Sequence, residues 1–241
     1  MTTIKGDDPL VASLVEQLRA MRVAERDVFG ALDPTVRDRP TRPGDWSPKD
    51  HQAHLTAWKA IQADRIRAAT EGEAVGADSR ETDELNAELQ AERAGWNWAD
   101  IVTEADEVSD RVEAEIRGAG AEMLSKTDGL VGRIYGNSAA HALTHFGWLA
   151  VAGIGVDEGR VTDFLDEHER QLERAPLPDA DRAIAVYNLA CAHATAGRVD
   201  RARPLLRVAF GRRPDLAEFA KEDPDLVTLR EELIALAGIA T

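Results

Sequence analysis

Apolar residues recur at three- and four-residue steps along most of the chain, which predicts helices rather than strands. A first helix ends before Pro34. A second begins at Ser47, because serine, Pro48 and Asp50 form a capping box with proline in the first turn, and it continues to about Thr70. The apolar stripe of the first helix consists of Leu10, Leu14, Leu18, Met21, Val28 and Leu32.

Two further long helices are predicted before residue 156. Asn97 caps the third long helix, which Gly118 and Gly120 close, and a short helix over 82–89 precedes it. The fourth is the small and apolar segment 135–150, which stops near residue 153. Four amphipathic helices joined by short and medium links predict a four-helix bundle over residues 1–156. The stripe of the third long helix consists of Ile101, Ala105, Val108, Val112 and Ile116.

The character of the chain changes after residue 157. A charged helix over 161–174 and a proline-containing linker over 175–178 lead into a segment, 186–214, that resembles a tetratricopeptide repeat unit. Residues 159–241 are therefore predicted to form a second domain, a tetratricopeptide-like helical region whose last helix begins at Asp223. The predicted fold class is all-α throughout. The positions that match the repeat are Leu189, Ala190, Gly197, Ala202, Leu206, Ala209 and Pro214.

Charge and composition exclude several classes of partner. The formal net charge of −15 and the isoelectric point near 4.8 argue against nucleic acid and against an anionic membrane surface. No apolar run is long enough to span a bilayer, and the N-terminus has no signal-peptide pattern, so a cytoplasmic protein is expected. One cysteine, Cys191, excludes an internal disulfide and a thiolate metal cluster.

Histidines carry the candidate chemistry. Asn137, His141 and His145 recur at every fourth residue, which places them on one face of the fourth helix. Two imidazoles one turn apart can share a metal ion, and His54 on the second helix is the best candidate for a third ligand. The alternative is that all three histidines only bond to partners in the core.

Two polar residues are candidate catalytic groups. His51 lies one turn before His54 and can serve as a general base or hydrogen-bond a metal ligand, although a surface histidine is the favoured interpretation. Asn137 can orient a substrate or a ligand, or it can cap the fourth helix, and neither alternative is favoured.

Four other residues have plain packing interpretations. Trp58 and Trp148 lie one turn past candidate ligands and can wall a pocket, but core packing is favoured for both. His193 occupies a packing position of the repeat-like segment. Cys191 lies in the same helix, and a buried cysteine is more often inert than reactive.

Residues 8–153 resemble the DinB-like superfamily of four-helix bundles, and most closely its ClbS/DfsB group. In the metal-binding members, one histidine on the second helix and an H-x-x-x-H pair on the last helix bind a divalent metal. His54, His141 and His145 stand at the matching positions, so the resemblance implies a zinc, nickel or iron site. The cues are Trp46-Ser47-Pro48-Lys49-Asp50 leading into His54-Leu55 and Trp58, then 82–87, then Trp98, and then Gly136-Asn137 before the histidine pair.

The resemblance also implies a function. Members of the superfamily include thiol-dependent S-transferases and isomerases, and its chemistry is hydrolytic or thiol-transferring. The resemblance therefore implies a metal-dependent hydrolase or thiol S-transferase that acts on an electrophilic small molecule in detoxification or resistance. The ClbS-like branch is similar to a hydrolase that opens a reactive cyclopropane and need not use metal, which leaves a metal-free enzyme open. A third alternative is a non-enzymatic binding or sequestering protein whose tail, 159–241, docks a protein partner. Related bundles often pair, so a homodimer is a further implied partner.

Overall fold

A computed structural model describes residues 8–40, 46–73 and 82–238, and this part of the chain contains helices and no strand. The predicted all-α class is confirmed. No described helix combines the length and the apolar character needed to cross a membrane. The α-helices are α1 (Pro9–Gly30), α2 (Pro48–Glu71), α3 (Thr82–Arg93), α4 (Trp98–Lys126), α5 (Leu130–Tyr135), α6 (His141–Val151), α7 (Glu158–Arg174), α8 (Asp179–Thr195), α9 (Val199–Arg212), α10 (Asp215–Phe219) and α11 (Leu233–Leu236).

Two non-α segments complete the helical order. A π-helical turn, Gly136–Ala140, joins α5 to α6, so that residues 130–151 form one interrupted helix, called here the histidine helix. A 3₁₀ helix, Pro224–Glu232, precedes α11. Asp223 caps it as predicted, since its carboxylate accepts a hydrogen bond from the Asp225 N–H at 2.9 Å. The helix that follows is a 3₁₀ helix, which is wound more tightly than an α-helix.

The chain divides into two compact units, Met1–Asp128 and Gly129–Thr241. The predicted boundary between 156 and 159 falls inside the second unit, between α6 and α7. Within that unit the histidine helix packs on α8, and α6 also contacts α7. The four-helix bundle and the tetratricopeptide-like arrangement stay predictions.

Capping chemistry sets where the helices of the first unit begin. Ser47 Oγ accepts a hydrogen bond from the Asp50 N–H at 3.2 Å, and Asp50 Oδ2 accepts one from the Ser47 N–H at 2.9 Å. Asn97 and Asp100 form the equivalent reciprocal pair at the start of α4. Both predicted starts are therefore confirmed, because a cap depends on a few adjacent residues and not on the rest of the fold.

The apolar stripes predicted for α1 and α4 are buried. The predicted close of the third long helix at Gly118 and Gly120 matches a kink, because Gly120 has φ +74° and ψ 161°, a non-helical conformation open mainly to glycine. A further helical stretch, which the sequence did not predict, follows the kink and carries α4 on to Lys126.

A charged network is buried between α1 and α2 in the first unit. Glu25 is fully buried and pairs with Lys59 Nζ, which is itself only 1 % exposed. Arg22 Nη1 and Gln52 Nε2 also donate to Glu25 Oε2, at 3.3 and 3.4 Å. Burial lowers the pKa of Lys59, and the carboxylate of Glu25 opposes that shift. These four residues are called the Glu25 network below.

The second unit is organised around α8, which contacts α5, the π-helical turn, α6, α7, α9 and the 3₁₀ helix. Small residues allow the histidine helix to approach it closely. A Cβ at Gly136 would lie 2.6 Å from Asn188 Nδ2, and one at Gly147 would lie 2.7 Å from Thr195 Oγ1. Gly197, at φ +74°, makes the turn from α8 to α9 that the repeat-like pattern predicts.

Candidate metal centre

His141 and His145 are brought together on the histidine helix, as their spacing predicts. Their Nε2 atoms lie 3.1 Å apart, and their rings are inclined at 70° with centroids 4.8 Å apart. His145 is buried and His141 is half-buried, so the pair lies at the edge of the unit's interior. The two Nε2 nitrogens therefore converge on one face of the histidine helix.

The separation of the two nitrogens suits a shared cation. A tetrahedral zinc ion with Zn–N bonds of about 2.05 Å places two of its ligand nitrogens roughly 3.3 Å apart. The observed 3.1 Å lies close to that value. It equally fits an N–H···N hydrogen bond, in which one Nε2 carries the proton and the other accepts it. The geometry thus fits both a metal-chelating pair and a hydrogen-bonded pair.

A π-helical turn lies immediately before the pair. The backbone N–H of His141 donates to the carbonyl of Gly136, five residues earlier, so the turn holds one residue more than an α-turn. The added residue changes the direction in which Asn137 projects relative to His141. π-bulges of this kind occur frequently at functional sites, and residue spacing in the sequence does not reveal them.

Asn137 lies within this π-helical turn, since the histidine helix begins at Leu130. The alternative that Asn137 caps the helix is therefore wrong: a cap requires a helix start, and seven helical residues precede it. Its side chain is half-buried in the same turn that presents His141. The prediction that Asn137 orients a ligand or substrate stays a prediction.

Contacts with α8 fix the position of the pair. Thr195 Oγ1 lies 3.3 Å from the carbonyl oxygen of Thr144, directly beside His145, and 3.0 Å from that of Ala192, so its single proton is shared between the two acceptors. At the other end of the histidine helix, the Gly132 N–H donates to Asp181 Oδ1 at 2.7 Å. These bonds hold both ends of the histidine helix against α8.

Trp148 lies beside the pair, with its ring centroid 4.8 Å from that of His145. It is 39 % exposed, so the favoured interpretation of plain core packing is wrong for this residue. An exposed indole next to the histidine pair offers a flat apolar surface to a bound molecule.

His51 and His54 lie on α2 in the first unit, where Trp46 packs against both rings. The ring centroid of Trp46 is 5.7 Å from that of His51 and 4.6 Å from that of His54. Each histidine is only 9 % exposed, so the favoured interpretation of His51 as a surface residue is wrong. Trp58 is half-buried and donates from Nε1 to Asn86 Oδ1 at 3.0 Å. The catalytic role of His51 and the third-ligand role of His54 stay predictions.

A second group of potential ligand atoms lies between α8 and the 3₁₀ helix of the second unit. Cys191 Sγ and carboxylate oxygens of Asp223 and Asp225 lie within 4.8 Å of one another, and Tyr187 OH donates to Asp223 Oδ2 at 2.6 Å. Burial raises the pKa of the Cys191 thiol, and both carboxylates add to that effect. This keeps the thiol protonated, as expected for a buried and unreactive cysteine. Burial and the charge of Asp223 also raise the pKa of Asp225, to about 7.

A charged cavity of about 390 Å³ opens beside α7 in the second unit. Arg198 pairs with Asp166 at 2.8 Å, and Arg201 pairs with Glu169 at 2.6 Å. Its cations and anions largely neutralise one another, so the cavity shows no preference for ligands of one charge. The residues that line it are Asp166, Glu169, Arg170, Glu173, Arg198 and Arg201.

No protein-family model, curated protein or solved structure matches this chain. The resemblance to DinB-like and ClbS/DfsB proteins therefore rests on the sequence cues alone and stays a prediction. The proposed function therefore rests on the geometry of His141 and His145 and not on similarity to a known protein.

Proposed function

We propose that the protein is a metal-dependent enzyme in which His141 and His145 are two of the ligands to a divalent cation. The observation that carries the proposal is the 3.1 Å separation of their Nε2 atoms. The reaction is hydrolysis of, or thiol addition to, an electrophilic small molecule, and the role is detoxification or resistance. Zinc, nickel and iron are the candidate metals, because all three accept imidazole ligands.

A bound cation of this kind lowers the pKa of a coordinated water to roughly 7, and equally stabilises a coordinated thiolate. The protein's own residues then have distinct tasks. Trp148 offers its exposed indole to an apolar part of the substrate beside His145. Asn137, in the turn that presents His141, orients a polar group by hydrogen bonding. His51 is the sequence-based candidate for a general base.

The first experiment measures the metal content of the purified, untagged protein by mass spectrometry. The wild type is expected to contain near-stoichiometric metal, and His141→Asn and His145→Asn are expected to lose it. His51→Gln is the matched control, since it replaces a histidine that is not proposed as a ligand and should keep the metal. Far-ultraviolet circular dichroism establishes that each variant is folded.

His54→Asn tests the sequence-based assignment of the third ligand. A loss of metal equal to that of His145→Asn supports the assignment, and full retention of metal contradicts it while leaving the histidine pair intact as ligands.

Absence of metal from the wild type, even after supplementation with zinc, nickel and iron, would overturn the proposal. Measurement of turnover then distinguishes two competing functions. A metal-free enzyme loses turnover in His141→Asn, whereas a binding or sequestering protein shows no turnover in any variant.

A further inference from the structure

His168 occupies a position on α7 where the pattern calls for an apolar residue. The buried stripe of α7 runs Val161, Leu165, His168 and Leu172, in steps of four, three and four residues. His168 is only 2 % exposed. An imidazole in this stripe places two polar nitrogens where leucine would place none, which costs free energy unless both nitrogens are hydrogen-bonded. The interruption of the stripe is visible in the sequence, but its meaning depends on what lies opposite.

A second buried histidine, His193 on α8, interacts electrostatically with His168. It is 0 % exposed. Neither ring nitrogen of either histidine has a hydrogen-bond partner among the described residues. One acid, Glu169, places its Oε2 3.5 Å from His193 Nε2. That carboxylate is already engaged, because Arg201 Nη2 donates to it at 2.6 Å.

The groups around the pair do not favour a positive charge. The two nearby acids are paired with two nearby guanidinium groups, so no excess negative charge is left to hold an imidazolium. Burial lowers the pKa of each imidazole to about 4. At His168 the charge of His193 lowers the pKa further. At His193 the charge of Arg198 lowers the pKa further, and the charge of Glu169 opposes that shift. The groups that face the pair are Asp166 and Glu169 on α7, Arg198 before α9, Arg201 on α9 and Tyr135 on α5.

We propose that His168 and His193 form an acid-sensitive lock between α7 and α8. While both imidazoles are neutral, they pack as part of the apolar interface between the two helices. A proton on either ring creates a buried cation without a free counter-ion, and a second proton adds repulsion between the rings. The helices therefore separate, which hydrates the imidazolium groups. The lock acts whether or not the histidine helix binds metal.

The pH window follows from the direction of the shifts. In the open state each histidine binds a proton near its ordinary pKa of 6.5, whereas in the packed state it does so only near 4. The packing is therefore complete above pH 6.5 and weakens as the pH falls from 6.5 to 4, below which these groups cause no further loss. Over the whole window each histidine raises the opening equilibrium constant by roughly 300-fold.

Nuclear magnetic resonance of the full-length wild type tests the buried state directly. The chain has six histidines, each with its own Cε1–H signal. Two of these signals are expected to keep the shift of neutral imidazole down to pH 5, and His168→Gln and His193→Gln assign them by removing one signal each. Titration of all six signals with pKa values above 6 in the folded protein would overturn the proposal.

Hydrogen exchange followed by mass spectrometry tests the opening. After correction for intrinsic exchange rates, α7 and α8 peptides of the wild type should lose protection between pH 7.5 and 4.5, and α1 peptides serve as the internal reference. In His168→Gln the side chain at this position cannot gain a proton, so the loss of protection in this variant should be roughly 80-fold smaller over the same pH range. His168→Leu, which completes the apolar stripe, provides a second variant with the same expectation. A pH dependence equal to that of the wild type in both variants would contradict the lock.

Asp225→Asn separates the lock from another titrating group of the same unit. The pKa of Asp225 is raised to about 7, so protonation of its carboxyl stabilises the unit as the pH falls, opposite in sign to the histidines. Removing that carboxyl should therefore make the acid-induced loss of protection in α7 and α8 larger. A smaller loss in this variant would assign the pH dependence to Asp225 and not to the histidines.

Discussion

At the scale of single residues, Gly147 shows how closely the histidine helix is fitted to α8. A Cβ at this position would lie 2.7 Å from Thr195 Oγ1 and 2.8 Å from the backbone nitrogen of Ala196. Backbone atoms cannot move aside as a flexible side chain can, so the helix itself would have to shift. Such a shift would also displace His145, two residues away.

Gly147→Ala is expected to lower the free energy of unfolding of the second unit by about 1–3 kcal/mol, the usual cost of overpacking a tight contact. Urea unfolding followed by circular dichroism measures it. Gly211→Ala on α9 is the matched control, because a Cβ there has open space around it and should be neutral or stabilise by up to about 1 kcal/mol. Equal stability of the two variants would contradict the close approach.

Several residue-scale features were predictable because they depend on near neighbours. The caps at Ser47 and Asn97 and the convergence of His141 with His145 follow from spacings of three or four residues. The burial of His51 and the exposure of Trp148 were not predictable, since both depend on which other elements pack nearby.

At the scale of elements, the Glu25 network joins α1 to α2 through buried charges. Removing one partner of a buried ion pair leaves the other charge without compensation, whereas replacing both with apolar residues is often neutral or stabilising. Periodicity in the sequence identifies the apolar stripes of these helices but gives no sign that Lys59 and Glu25 face one another.

Lys59→Met is expected to destabilise the first unit by about 3 kcal/mol, because Glu25 stays buried and, among the described residues, keeps Arg22 and Gln52 as donors. The double variant Glu25→Leu/Lys59→Met should recover most of that loss. Urea unfolding of Lys59→Met, of Glu25→Leu and of the double variant gives the coupling energy between the two side chains. Additive losses would show that the two side chains do not interact in the native state.

The π-helical turn is also an element-scale feature. The sequence predicts one continuous helix through 135–150, and the helix is continuous apart from one wider turn at Gly136–Ala140. This turn forms where Gly136 meets Asn188 on α8, a contact between residues far apart in the sequence. Local propensity alone could not place it.

At the scale of the whole molecule, the feature that bears on stability is the formal net charge of −15. Like charges repel in the compact state and are further apart in the unfolded chain, so this charge lowers the stability of the fold. Salt screens the repulsion, since the Debye length falls from about 30 Å at 0.01 M to about 8 Å at 0.15 M.

Raising sodium chloride from 0.01 to 0.15 M is therefore expected to increase the free energy of unfolding, by an amount on the order of 1 kcal/mol, comparable to one surface ion pair. Thermal unfolding at constant pH measures the change. Potassium chloride at equal ionic strength should have the same effect, because the cause is screening. A decrease in stability would show that the surface ion pairs, which salt also weakens, outweigh the net repulsion.

The sequence by itself determined the helical class, the starts of α2 and α4, the apolar stripes of α1 and α4 and the pairing of His141 with His145. All of these depend on interactions between residues three or four positions apart. Only the tertiary structure decided the division after Asp128, the placement of the histidine helix on α8, and the burial of the Glu25 network and of His168 with His193. These features depend on contacts between distant residues, and a periodic pattern shows which face of a helix is apolar but not which partner covers it.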